Sequence, residues 1–486
     1  MRIPKMLMPN RFRRVILFLA LGYFMTGTNV QAQCNTTSQG YNAVGTGCTS
    51  GTQGSFAIVD ASQFSGNDIC TKILASFEQY YPSGNTNNYG IIVDARGLSP
   101  TLGCSTNPWG LPSGEMPPSS VVLLPAGTIQ LSATLQMPQF ARLIGEGSGT
   151  TILQAAHSFN GDIGNMIELG PSSSPGGYCT KNPMNSAYSC PGVEVEHLKL
   201  DGNGQSGVNG IANYYGQELS YVEDVAFSNM GGTALSVTYP QAQDGNSQNS
   251  GPYSKLTMSS VGTCLRINGF EGTSGITVGT RGIHGLTCST SSSSGAAIYV
   301  DGENNSLEDI SLTNAGTTEY GILIGDSAAA QNNVLFNIRG SGFTYLIDLS
   351  GSYSTSQTNC PGTGQLPGVG VVAYNVCDIT IMGVTNQTSG TTTIYDQVSG
   401  ATLSEPHVGM YILGEPVQYG STNNYFLGNS HFTTSPYWPT WVVGSSQQQG
   451  VACPSVGSLY SVTSGSAPTL LECEAASGGA KWVMVK

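Results

Sequence analysis

Two aspartates in the middle of this 486-residue chain follow short apolar phrases: Asp301 after Ile298-Tyr-Val300, and Asp326 after Ile322-Leu-Ile-Gly325. On neighbouring coils of a stacked β structure their carboxylates would stand about 5 Å apart, shifted by one residue. That is near the separation of acid and nucleophile in a retaining glycosidase, whereas two coils, about 9.6 Å, approach the inverting range. The same two carboxylates could instead hold a calcium ion between them. One phrase earlier, Arg266 and Asn268 take the places of Tyr299 and Asp301, and Tyr214 with Tyr215 follow the first strong phrase of the set. Phenol rings and amides of this kind suit sugar faces and hydroxyls. The competing reading makes Arg266 and Asp301 no more than a surface ion pair.

These residues meet only if the chain coils, and a repeat indicates that it does. The phrase begins at Val195, Val222, Tyr253, Ile283, Leu307, Leu335 and Val376, as in Val195-Glu-His-Leu-Lys-Leu200 and Leu307-Glu-Asp-Ile-Ser-Leu312. A second phrase follows most copies: Ile211, Leu235-Ser-Val237, Leu265-Arg-Ile267, Ile298-Tyr-Val300, Ile322-Leu-Ile324 and Leu346-Ile-Asp-Leu349. Apolar and polar residues alternate within each phrase, the period of a strand with one buried face. Two strands per period, with Gly, Asn and Ser between them, describe a solenoid. Leu198, Val225, Leu256, Leu286, Ile310, Ile338 and Ile379 are the expected inner rungs of one sheet. Leu235, Leu265, Ile298 and Ile322 are those of another. Asp224, Asp309, Asn337 and Asp378 share one repeat position, which predicts a turn ladder rather than catalysis.

The expected fold class is all-β: a right-handed parallel β-helix solenoid with an N-terminal capping helix and a small C-terminal β module. Residues 68–80 place apolar side chains at 69, 73, 74, 77 and 80, an amphipathic helix with Asn67 or Asp68 as its N-cap. It covers the open strand edge that would otherwise recruit another chain. Strands at Ile91–Val93, Val121–Leu124 and Leu143–Ile144 open the stack. The expected division is a signal peptide over 1–32, an extension over 33–56, the β-helix over 57–415, a linker or cap over 416–449, and the β module over 450–486.

The basic start, the apolar run from Val15 to Met25 and Val30-Gln-Ala32 read as a secretory signal, too short to span a membrane. Export to the periplasm, the cell surface or the medium follows. All 12 cysteines lie beyond it, in sequence-local pairs 34/48, 70/104, 179/190, 264/288, 360/377 and 453/473. An even count in an exported protein favours disulfides, and no pair has zinc-ribbon spacing. With 16 basic and 29 acidic residues the chain carries a formal charge of −13, which repels nucleic acid. It also disfavours a polyuronate unless calcium bridges the two.

The segments Leu124-Pro-Ala-Gly-Thr-Ile-Gln-Leu131, Leu143-Ile-Gly-Glu-Gly-Ser-Gly-Thr-Thr-Ile-Leu153 and Leu200-Asp-Gly-Asn-Gly204 resemble the opening coils of the pectate-lyase-like superfamily. The likeness covers roughly residues 57 to 415 and is nearest the branch of tailspike-type depolymerases and exo-glucanases. It implies a site on the outer face of the sheet that precedes the repeated phrase, which here is the second set of strands. Asp301 matches the strand aspartate that holds calcium in pectate lyases, with Tyr299 where a second aspartate would stand. Arg266 then takes the place of the cation used as base or carboxylate anchor. The polygalacturonase motifs are absent, and Gly282-Ile-His-Gly285 belongs to the other sheet. The expected function is a polysaccharide hydrolase or lyase working in a groove along the stack. Its catalytic set would be Asp301, Asp326 and Arg266; Tyr299, Asn268, Tyr214 and Tyr215 would bind substrate. Calcium is compatible but not required. A non-catalytic adhesin is the alternative, as a monomer or a homotrimer.

Overall fold

A computed structural model describes residues 57–81, 90–111, 119–157, 159, 164–171, 176–181, 188–217, 219–238, 250–268, 282–291, 295–302, 304–326, 330–349, 376–377, 379–388 and 391–396, and beyond these the strands between 411 and 484. Residues 1–56, expected to hold a signal and an extension, and Asp378 lie outside the described residues.

The chain is a parallel β-helix. Strand follows strand in parallel register from Ala57–Asp60 through Ile91–Asp94, Ser120–Leu123 and Ala141–Ile144 to Glu194–Asp201. From there the stack climbs through Tyr221–Thr238, Tyr253–Asn268, Ile283–Thr290, Ser306–Asn314, Val334–Ser341 and Thr380–Asn386. A second run climbs beside it, through Leu135–Met137, Asn165–Leu169, Asn209–Asn213, the ends of the two long strands, Ala296–Asp301, Tyr320–Ile324, Tyr345–Leu349 and Thr392–Asp396. Leu235, Leu265, Ile298 and Ile322 form one inner ladder of this second sheet, and all four are fully buried. Parallel pairing of every coil with the next satisfies the backbone along the stack and leaves edges only at its ends.

A column of left-handed residues bends each repeated phrase. His197, Asp224, Lys255, Asp309 and Asn337 have φ between 51° and 57°, and Gly285 and Gly383 have φ 68°. The flanking pairs, such as Glu196 opposite Glu223 and Ile310 opposite Ile338, place all seven at one level. Gly, Asn and Asp tolerate this region best, and His197 and Lys255 adopt it as well. The turn ladder expected at Asp224, Asp309 and Asn337 is therefore the corner between two faces of the stack. Along it Asn337 donates to Asp309, and the His197 imidazole meets Asp224 at 2.8 Å.

The last coil differs from expectation. Ile338 faces Val384 and Leu335 faces Ile381, so the phrase enters the stack five residues later than Val376. Val384 replaces Ile379 as the rung, and Gly383 takes the corner assigned to Asp378. The reason is positional: Thr380 donates its amide to the Asn333 carbonyl at 2.9 Å, which starts the strand opposite Val334.

The cap forms as the pattern demands. The helix Ile69–Tyr80 begins at Asp68, whose side chain accepts from the Thr71 amide while Thr71 returns a bond to the Asp68 backbone. Ile69, Ile73 and Phe77 are fully buried, and Phe77 stacks on the buried Trp109 with centroids 6.4 Å apart. Cys70–Cys104 ties the helix to the coil stack, Cys179–Cys190 closes a loop, and Cys264–Cys288 joins neighbouring coils. Cys473 is also disulfide-bonded. The pairs 34/48, 360/377 and 453/473 involve residues outside the description. At the far end pairing turns antiparallel, with Val417–Tyr419 against Asn424–Phe426. A meander of Leu459–Val462, Thr469–Ala476 and Gly479–Met484 follows.

Candidate functional site

The outward residues of the second sheet form a single column: Gln136, Glu168, Ala212, Ser236, Arg266, Tyr299, Leu323, Asp348 and Tyr395. Their neighbours in the strands point inward, so the period of two aligns these side chains with no sequence proximity among them. Glu168 and Asp348 lie six rungs apart, about 29 Å, too far to act on one bond. Arg266 sits midway.

Around that midpoint the expected residues are partly united. Arg266 is directly opposite Tyr299, and its guanidinium lies 4.8 Å from the ring centroid. Asn268 is directly opposite Asp301. Asp301, however, is fully buried. Asp326 lies on the next coil, beyond the left-handed Gly325, and is exposed. The Gly325 amide bonds to the Val300 carbonyl at 3.0 Å, so Gly325 and not Asp326 is level with Asp301. The one-residue shift foreseen in the sequence is present, and one carboxylate is enclosed while the other is in solvent. They do not open onto a shared solvent-lined site. Among the described residues no group of three or more His, Cys, Asp and Glu side chains is placed to hold a metal ion.

The two early tyrosines diverge. Tyr215 is 3% exposed, packed edge-on to Tyr188 near the Cys179–Cys190 bridge, so its ring is not available to a ligand. Tyr214 reaches the start of the column. Its phenol accepts from Asn165 at 3.0 Å, and Asn165 also donates to the buried Glu168 at 3.0 Å. Burial, with Glu168 nearby, pushes the Tyr214 phenol above its ordinary range despite the Asn165 bond.

A cluster at the other end was not singled out by sequence reasoning. Tyr320 and Tyr345 stack with centroids 5.7 Å apart, and Tyr345 stacks on Tyr395 at 4.5 Å. The Tyr320 phenol is pushed up to about 12, first by burial, then by Glu319 and Asp348, and it is hydrogen-bonded to Glu319. Tyr345 is raised by the same burial and the same two carboxylates. Asp348 is fully enclosed, whereas Glu319 is exposed. Two carboxylates of opposite exposure thus both raise the same two phenols. Because the rings stack on each other, the faces between them are taken up by one another. The signal lay in Glu319-Tyr-Gly-Ile-Leu-Ile324 and Tyr345-Leu-Ile-Asp-Leu349, whose alignment through Ile322 and Ile347 puts Asp348 in the row of Arg266 and Tyr299.

No family model and no curated protein matches the chain. Solved structures resemble it in architecture. ORF18 of Geobacillus virus E2 is 11% identical, with 88% of this chain and 76% of that one covered and a TM-score of 0.42. A tailspike protein mutant of E. coli bacteriophage HK620, in complex with a pentasaccharide, is 12% identical over 70% of this chain and 55% of its own, TM-score 0.42. An endo-xylogalacturonan hydrolase from Aspergillus tubingensis is 11% identical over 68% and 93%, TM-score 0.36. The chain's own strand pairing is that of a parallel β-helix. The likeness is one of coil architecture.

Proposed function

We propose that the protein acts on a polysaccharide laid along the half-exposed members of the column, from Ser236 and Arg266 to Tyr395, cleaving it by hydrolysis or elimination at the Tyr320–Tyr345 end. The observation that carries this reading is the Tyr320–Tyr345–Tyr395 stack at the end of the column, where Asp348 stands in register between Leu323 and Tyr395. In this reading, Glu319 faces solvent and takes a proton from the attacking water in hydrolysis or from the sugar carbon in elimination, while the departing glycosidic oxygen receives a proton from the Tyr320 phenol, which solvent reprotonates. Tyr320 and Tyr345, held protonated, donate to sugar oxygens, and Asp348 orients them from behind. Arg266, resting on the Tyr299 ring, binds the glycan further along, with Asn268 and Tyr214 beside it. The low proportion of charged residues, 9%, suits a neutral or weakly charged glycan. Asp301 and Asp326 belong to the proposal as residues beside the groove, and calcium as an additive to be tested rather than a resident ion.

A second reading is retention without cleavage. On the other face of the stack, Thr257, Thr287 and Ser311 form one row and Ser259, Ser289 and Thr313 another, a flat field of hydroxyls. Such a field fits an adhesin as well as it fits an enzyme.

The deciding experiment is digestion of a broad glycan panel, with and without calcium, by the wild type and by Glu319→Gln, Asp348→Asn and Asp301→Asn. Reducing ends or unsaturated products are expected from the wild type, with rates falling about 10²–10⁴-fold in Glu319→Gln. Retention of a glycan with no product from any member of the panel would establish the second reading.

A further inference from the structure

Tyr299 does not stand out into the groove. Its phenolic oxygen accepts a hydrogen bond from the Ala296 amide at 3.0 Å, so the ring folds back along its own strand. The space it occupies belongs to Gly295. A Cβ on Gly295 would overlap the Tyr299 hydroxyl, and the next atoms it would meet are Cζ and Cε1 of the same ring, at 3.2 and 3.9 Å. No other residue supplies one of these three nearest neighbours. The φ of Gly295 lies outside the left-handed region, unlike that of Gly285 or Gly325, so the backbone here does not require glycine. Among the described residues, the atoms nearest to a side chain at this position are those of the Tyr299 phenol.

The ring so placed is the surface on which Arg266 rests, 4.8 Å from the centroid and directly opposite on the preceding coil. A guanidinium over a ring face is held in orientation by the ring quadrupole. We infer that Gly295 is a positioning residue for the groove: its missing side chain seats Tyr299, and the seated ring fixes Arg266 at the midpoint of the column. Arg266 is the single cation in that column among the described residues, so its placement sets what substituent the middle of the groove accepts. The inference rests on reading this face as the glycan groove, but its structural half can be tested apart from that reading.

The test uses the full chain and its arginine side-chain NMR signals, with Arg266 assigned by its loss in Arg266→Lys. In the wild type the Arg266 Nε–H proton, shielded by the Tyr299 ring, lies upfield of the other arginines. Gly295→Ala is expected to return it to the ordinary position. Adding Tyr299→Phe to Gly295→Ala removes the overlapping oxygen and is expected to restore the upfield shift. Where the wild type retains a glycan, Gly295→Ala weakens retention on the order of tenfold and the double variant recovers it.

An unchanged Arg266 signal in Gly295→Ala, or no recovery in the double variant, overturns the inference. If Gly295→Ala alone fails to fold while the double variant folds with the upfield signal, the inference stands. If neither folds, the backbone needs glycine there and the inference falls. Signals that follow the expected pattern while no glycan is retained by any form, wild type included, would remove the groove reading and leave the positioning role intact.

Discussion

Asn337 and Gly383 occupy the same left-handed corner on successive coils, with φ 53° and 68°, between the pairs Phe336–Met382 and Ile338–Val384. A Cβ on Gly383 would meet Asn337 backbone atoms at 3.6 and 3.7 Å, ordinary contact distances. Space is therefore available and only the backbone conformation resists substitution. Gly383→Ala is expected to cost about 1–2 kcal/mol, and Gly383→Asn distinctly less, because asparagine visits this region readily. Urea unfolding midpoints of the two variants check this. Equal losses would show that the corner is not what governs this position.

Tyr320→Phe separates the phenol from the ring. The stack on Tyr345 survives, since it needs only the ring, while the bond to Glu319 is lost. On the substrate identified by the glycan panel, the rate is expected to fall about 10²-fold with little change in thermal stability. A rate that holds while stability drops would make the stack purely structural.

Acid stability should depend on Glu196. Burial pushes its carboxyl up, but the Tyr221 hydroxyl at 2.6 Å and the Arg142 guanidinium at 2.7 Å outweigh burial and hold it below the ordinary carboxylate range. A depressed folded pKa contributes stability that is present above the unfolded value, about pH 4.3, and is lost as pH falls through the folded value. Glu194, which pairs with the same Arg142, has the opposite sign, because burial raises it. Unfolding midpoints between about pH 3 and 6 should thus fall less steeply in Glu196→Gln than in the wild type, and more steeply in Glu194→Gln. Parallel curves for all three would contradict this assignment.

Replacing both Cys264 and Cys288 by alanine opens a bridge between residues 24 apart in sequence on adjacent coils. The expected loss is about 3 kcal/mol in urea unfolding, from the freedom returned to the unfolded chain. Both cysteines are buried, so each single replacement leaves a buried thiol and is expected to cost at least as much as the pair.

Much of the stack could be read from residue order. The inner rungs Leu286, Ile310 and Ile338, the capping helix from Ile69 to Tyr80 and the bridge Cys264–Cys288 all follow from short-range pattern or local spacing. The corner ladder did too, as far as Asn337. The last coil was misread because Val376-Cys-Asp-Ile and Ile381-Met-Gly-Val satisfy the same alternation, and residues 350–375 lie before both. Nothing within either phrase distinguishes them. The choice is made by which one can pair with Val334.

The candidate site was less legible for a related reason. Asp301 and Asp326 carry the right chemistry and the right coil spacing, yet one is enclosed and the other exposed. Enclosure depends on what packs over a strand end, which no phrase encodes. Asp348 was passed over because its phrase reads as an ordinary apolar strand with one polar residue. Only the register linking Leu323 to Asp348 shows that it extends the row of Arg266 and Tyr299.

Alternation at a period of two, repeated with short turns between, was enough by itself to determine that this polypeptide coils into parallel strands, since each phrase has one apolar face and no other way to bury it. Which side chains become neighbours was decided only in three dimensions. Residues such as Tyr320, Tyr345 and Asp348 are brought together by the registry between coils, which depends on contacts between segments distant in sequence.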